Sequence, residues 1–169
     1  MRVSTPVGRL PASVVIGGNV LFWPAWTAIV GYAVQQRPDA RFAADDVLTR
    51  ARSFERGGRW YRDAVKIETW KTRLPEAGAL FGGFEKRTVG SGDPDVMRQF
   101  VVETRRAEHA HWAMAAGVVL TLLWNPWWAA PANAAVAAGS NLPCIAVQRY
   151  NRARLRRVIA AVQRRPTSS

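Results

Sequence analysis

The run from Trp112 to Gln148, WAMAAGVVLTLLWNPWWAAPANAAVAAGSNLPCIAVQ, carries no Asp, Glu, Lys or Arg across 37 residues. One uninterrupted helix of that length would rise roughly 55 Å, well beyond a ~30 Å hydrocarbon core. Asn125-Pro126-Trp127-Trp128 lies near its middle, a turn signal with aromatics suited to a membrane interface, and Pro131 can open a returning helix. Two short passes joined there make a transmembrane hairpin over 110–148. A single kinked span is the alternative; basic residues at both ends weigh against it, because lysines and arginines gather on one side of a membrane. The returning pass is rich in Ala and carries Gly139, which permits close helix packing.

Outward from this run, Leu10 to Gln36 is also free of charge. The segment 14–34 is about 21 residues, long enough to cross a bilayer once. Arg2 and Arg9 ahead of it resemble the start of a signal peptide, but the apolar stretch is longer than a signal core and lacks a cleavage triplet, so an uncleaved anchor is expected. The fold class is therefore an all-α membrane protein in a single domain of 1–169.

The formal charge of +12 suggests nucleic acid as a partner until its position is considered. Fifteen of the 24 Lys and Arg fall between Arg37 and Arg106 and seven between Arg149 and Arg165, with no acidic residue after Glu108. That pattern fits the cytoplasmic face of a bacterial cell membrane and contact with anionic lipid; no nucleic-acid motif accompanies it. The single cysteine, Cys144, excludes an internal disulfide, and nothing near it in sequence would stabilise a thiolate.

The polar segment 37–108 is expected to hold short interfacial helices. Val47, Leu48, Ala51 and Phe54 recur at helical spacing before Gly57-Gly58, and Trp60, Tyr61, Val65, Ile67 and Trp70 form a second piece running towards Pro75. Gly78 to Gly92 reads as a Gly-rich loop. Asp93-Pro94-Asp95 is a helix start, after which no breaker intervenes before Asn125-Pro126. The tail 149–165 places Leu155, Val158, Ile159 and Val162 on one face and reads as an amphipathic helix lying on the membrane.

Two constellations carry candidate chemistry. In Glu103-Thr104-Arg105-Arg106-Ala107-Glu108-His109-Ala110-His111-Trp112, Glu108 and His111 are three apart and share a helix face, so a carboxylate can orient and charge an imidazole acting as general base. Glu103 lies about two turns before His111. Charges that merely snorkel at a helix end are the competing reading. His109 and His111 point apart at i, i+2, so no metal site is expected. In the second constellation Gln148, Tyr150 and Asn151 interleave with Arg149, Arg152 and Arg154, and the arginines suit the phosphates of an acyl-coenzyme A donor or, equally, lipid headgroups.

Three blocks together resemble the glycosyl-4,4'-diaponeurosporenoate acyltransferase (CrtO) family. They are Phe54-Glu55, Gly58, Trp60-Tyr61, Trp70-Lys71 and Leu74-Pro75; then Glu103 to Glu108 with His111-Trp112; then Asn141, Pro143, Gln148 to Arg152 and Arg154-Leu155. Their order and spacing match through about residues 54 to 155. The resemblance implies a membrane acyltransferase that esterifies a sugar hydroxyl of a glycosylated carotenoid with a fatty acyl group; acyl-coenzyme A is the expected co-substrate, and no resident cofactor is expected. His111, Glu108 and Glu103 are the expected catalytic group. Gln148, Arg149, Tyr150, Asn151 and Arg152, with Arg105, Trp70 and Lys71, are the expected substrate contacts. A different glycolipid acceptor, or a non-catalytic subunit that binds a partner enzyme or anionic lipid, fits the same residues.

Overall fold

The computed structural model describes residues 1–73 and 93–164. Leu74-Pro75, the Gly-rich stretch 78–92 and Arg165 lie outside them. The chain opens on a two-stranded antiparallel hairpin, β1 (Arg2–Thr5) and β2 (Gly8–Pro11), with Thr5 opposite Gly8 and Arg2 opposite Pro11. An all-α fold is thus corrected in one place: the basic residues expected to flank the apolar helix sit in strands, and Pro6-Val7 makes the tight turn between them.

Helix α1 (Ala12–Gln35) follows directly and runs through Pro24 without ending. Its 24 residues rise about 36 Å. Among the described residues it is the one helix long and apolar enough to cross a bilayer, and most of its apolar side chains face outward, Leu21 being 74% exposed, while Val15 and Val30 are buried.

No α-helix forms over 47–54, contrary to the periodicity there, and residues 47–52 are not helical at all. The Asp46 carboxylate accepts from the backbone N–H groups of Leu48 and Thr49, each at 3.0 Å, and from the Thr49 hydroxyl. These bonds close a local turn in place of a helical ladder. The carbonyls of Leu48 and Thr49, which a helix would need, accept instead from Arg149 and Arg152. A 3-10 segment at Ser53–Gly58 then reverses the chain through left-handed Arg56 and Gly57. Gly58 also has positive φ, and a Cβ there would lie 3.1 Å from the Ala153 Cβ, so the segment rests closely on the helix bearing Ala153.

The second expected piece is two short helices, α2 (Arg59–Asp63) and α3 (Ile67–Trp70), separated by Lys66 in the left-handed region. On one straight helix Tyr61 and Ile67 would point about 120° apart. The break lets both join Tyr150 in a buried cluster with Val65 and Trp70 around it.

Helix α4 (Pro94–Thr121) starts as expected, with Asp93 accepting from the Asp95 N–H at 2.8 Å and Pro94 in the first turn. It is followed by residues 122–129 and helix α5 (Ala130–Gln163). The two run antiparallel: Met97 and Val101 meet Leu155, Glu108 meets Arg149, and His111 meets Asn141. Each joins an apolar half to a charged half. The tail is no separate surface helix but the last turns of α5, and its Leu155 and Ile159 pack on Met97, Val101 and Phe100 of α4.

Candidate functional site

Glu108 is fully buried at the point where α4 and α5 cross. Arg149 and Arg152, one helical turn apart on α5, both reach it: Arg149 Nε donates to Oε1 at 2.6 Å and Arg152 Nη2 to Oε2. Trp112 Nε1 approaches Oε1 at 3.4 Å. Arg149 continues to Glu55, whose carboxylate also accepts from the Tyr61 hydroxyl at 3.1 Å. Two carboxylates and two guanidiniums therefore balance inside the protein and clamp the 46–61 segment to the helix pair. Burial pulls the Arg149 pKa down, but Glu108 and Glu55 outweigh it and the net shift is upward. For Arg152 burial wins and the shift is downward; its Nη1 is buried without a partner among the described residues. Burial, then the Glu55 charge, pushes the Tyr61 hydroxyl well above its ordinary range.

The remaining charges of the 103–111 stretch are also engaged. Glu103 pairs with Arg106 at 3.3 Å. Arg106 donates to the carbonyls of Val34, at 3.2 Å, and Arg37, at 2.6 Å, so its guanidinium closes the C-terminal end of α1. Arg105 holds Asp45 at 2.7 Å and the carbonyls of Phe42 and Ala43. His109 Nε2 lies 2.6 Å from Asp46 Oδ2. Burial tends to raise the Asp46 pKa, but the Thr49 bonds and His109 hold it well below the usual carboxylate range.

The expected partnership of Glu108 with His111 is not formed, since Glu108 is taken by the arginines, and Glu103 reaches neither. Half-buried His111 turns to α5, where its Nδ1 lies 3.1 Å from Asn141 Oδ1. Its Nε2 has no partner among the described residues. Arg149 and Arg152 likewise point inward rather than into open space, while Arg154 and Arg157 are exposed on the following turns. Tyr150 donates to Glu68, Lys71 sits over the Tyr150 ring at 4.8 Å, and Trp70 Nε1 donates to the Val65 carbonyl at 3.0 Å. Gln148 and Asn151 are half-buried and make no side-chain hydrogen bond to the described residues. Among the described residues no three His, Cys, Asp or Glu side chains gather where a metal ion would fit. Sequence reasoning left Glu55, Tyr61 and Asn141 out of the candidate set; all three stand in the blocks that carry the family resemblance.

Beyond His111 the α4–α5 pair meets α1. Trp26 Nε1 donates to the carbonyls of Ala113 and Met114, each at 3.2 Å, over Gly117, where a Cβ would lie 2.3 Å from that nitrogen. Nearer the 122–129 connection, Asn19 and Asn125 exchange amide hydrogen bonds of 2.8 and 2.9 Å, and Trp23 Nε1 donates to Asn133 at 3.3 Å. Alongside these lies a cleft of about 410 Å³ between α1 and α5, lined by Val15, Ile16, Val20, Trp128 and Val136 among others. Its three asparagines already hold one another, tryptophans or backbone carbonyls, so the cleft offers an apolar chain a surface without unmet hydrogen bonds.

Residues 45–161 match the profile of a family described as glycosyl-4,4'-diaponeurosporenoate acyltransferase, CrtO. Proteins of that name from Staphylococcus aureus strains bovine RF122 and USA300 are each 27% identical over 131 residues, covering 76% of this chain and 78% of the relative. The matched span contains every residue of the buried Glu55–Arg149–Glu108–Arg152 network together with His111 and Asn141, and omits the β-hairpin and α1. No solved structure matches the chain.

Proposed function

The chain belongs to the glycosyl-4,4'-diaponeurosporenoate acyltransferase family, whose members transfer acyl groups, and we propose that it esterifies a sugar hydroxyl of a membrane-embedded carotenoid glycoside by direct attack on an acyl-coenzyme A. His111 Nε2 takes the proton of the hydroxyl as its oxygen bonds to the thioester carbonyl carbon. The carbon–sulfur bond then breaks, and the proton passes to the departing thiolate. The observation that carries this reading is one of elimination: Glu103, Arg105, Arg106 and Glu108 are each held in an ion pair, both ring nitrogens of His109 are engaged by the Arg105 carbonyl and Asp46, and His111 alone on that stretch keeps an uncommitted basic nitrogen.

In this reading α1 spans the bacterial cell membrane and the apolar halves of α4 and α5 lie beside it as a hairpin. Support comes from two tethers along α1, Arg106 at its C-terminal end and Asn125 at Asn19, about two turns in from its start, which hold the pair alongside α1. Exposed Leu122, Leu123, Trp127 and Trp128 suit lipid at its tip. The basic end then faces the cytoplasm, where Arg154 and Arg157 receive the donor's phosphates and Arg149 and Arg152 hold the frame. The cleft beside Val136 takes the donor's acyl tail. Val136 is five residues from Asn141, about 7.5 Å of helical rise from the level of His111.

Expression with and without His111→Ala in a host that accumulates carotenoid glucoside tests substrate, reaction and base together. Mass spectrometry is expected to find the acyl ester with the unaltered chain and its loss with the variant. Ester accumulating normally in the variant removes His111 from the mechanism; ester on another glycolipid alone changes the acceptor.

A further inference from the structure

Asn141 was not among the residues expected to act, and its place in the packed helix pair defines what His111 can do. It is 6% exposed and belongs to the face of α5 that meets α4. Its Nδ2 donates to the carbonyl of Ala137, one turn back, at 2.9 Å. Only the amide nitrogen can make that bond, so the amide oxygen is turned to α4, where it lies 3.1 Å from His111 Nδ1. An amide oxygen accepts and never donates, so Nδ1 must carry the ring proton. In the neutral ring Nε2 is then left with its lone pair.

We propose that Asn141 is a positioning residue for acyl transfer, fixing His111 in the Nδ1–H tautomer and aiming its Nε2 as the proton acceptor for the attacking hydroxyl. This inference rests on the reading of His111 as the base. A neutral amide holds the ring's orientation and tautomer without adding charge, whereas a carboxylate in the same place would raise the basicity of the imidazole. The nearest charged groups do not replace it. On α4, Glu108 is bound to Arg149 and Arg152 of α5 and has no bond to the imidazole. On α5, Cys144 lies one turn beyond Asn141 and hydrogen-bonds back to Ser140. Helix α1 brings no charged residue between Val14 and Val34, and its Tyr32 is 65% exposed.

The test compares the full-length protein in detergent with its Asn141→Leu and Asn141→Asp variants, following ester formation against pH and verifying each fold by circular dichroism and thermal unfolding. Asn141→Leu is expected to lower kcat by roughly 10²-fold with little change in KM, as loss of an aligned general base does. Asn141→Asp is expected to restore activity and to move the acid limb of the kcat profile upward by about one pH unit or more, through the carboxylate facing Nδ1–H. A merely structural role would instead show as a lowered unfolding temperature of Asn141→Leu with kcat of the folded protein retained. The inference is overturned if folded Asn141→Leu keeps the original kcat, or if active Asn141→Asp shows an unmoved acid limb. Full activity of His111→Gln in the same assay instead removes the base reading itself, which separates the two failures.

Discussion

Replacing Glu108 with Gln removes the charge that two buried guanidiniums share. Because breaking a buried ion pair leaves its partner desolvated, the variant is expected to lose about 3–5 kcal/mol of stability, read by denaturant unfolding in detergent. Glu103→Gln, whose partner Arg106 keeps Asp39 and several carbonyls, is expected to cost about 1 kcal/mol or less. The contrast separates two carboxylates that look equivalent along the helix. Spacing alone made Glu108 and His111 neighbours, and they are neighbours; their partners, Arg149 and Asn141, lie 41 and 30 residues away. Side-chain periodicity on one helix carries no information about which residue of another helix stands opposite, and that correspondence decided both roles.

At the scale of elements, α1 depends on a few contacts because so little of it is buried. Gly117→Ala puts a Cβ where Trp26 sits and is expected to cost about 1–3 kcal/mol through overpacking. Adding Trp26→Phe should recover part of that loss, and a double-mutant cycle on thermal unfolding measures the coupling. Independent losses that simply add would remove Trp26 and Gly117 as the joint between α1 and α4. The long helices were readable in advance: Asp93-Pro94 marks a start, Asn125-Pro126 a break, and the apolar runs lie before, between and after these marks. The 47–54 segment was not. Its apolar spacing is helical, yet its free carbonyls are claimed by arginines about a hundred residues further along, and Asp46 supplies a competing local turn. The N-terminal hairpin escaped notice because two arginines before an apolar run match a commoner pattern.

For the molecule as a whole, the apolar cleft and the arginine-rich end are joined by one unbroken rod, α5, whose 34 residues rise about 51 Å. Val136→Trp should fill the cleft from near the start of that rod. The expected result is an ester population shifted towards shorter acyl chains, read by mass spectrometry, with thermal unfolding little changed. An unshifted chain distribution would remove the cleft from donor selection. The closure of α1 by Arg106 bears on how such a molecule is made. The carbonyls it satisfies, on Val34 to Arg37, leave the ribosome 69 or more residues before Arg106 does. At ordinary synthesis rates that interval is on the order of 4–14 s. If α1 spans a bilayer as proposed, throughout that interval its C-terminal end is without this cap, and its depth in the lipid is fixed only when a later segment arrives to hold it.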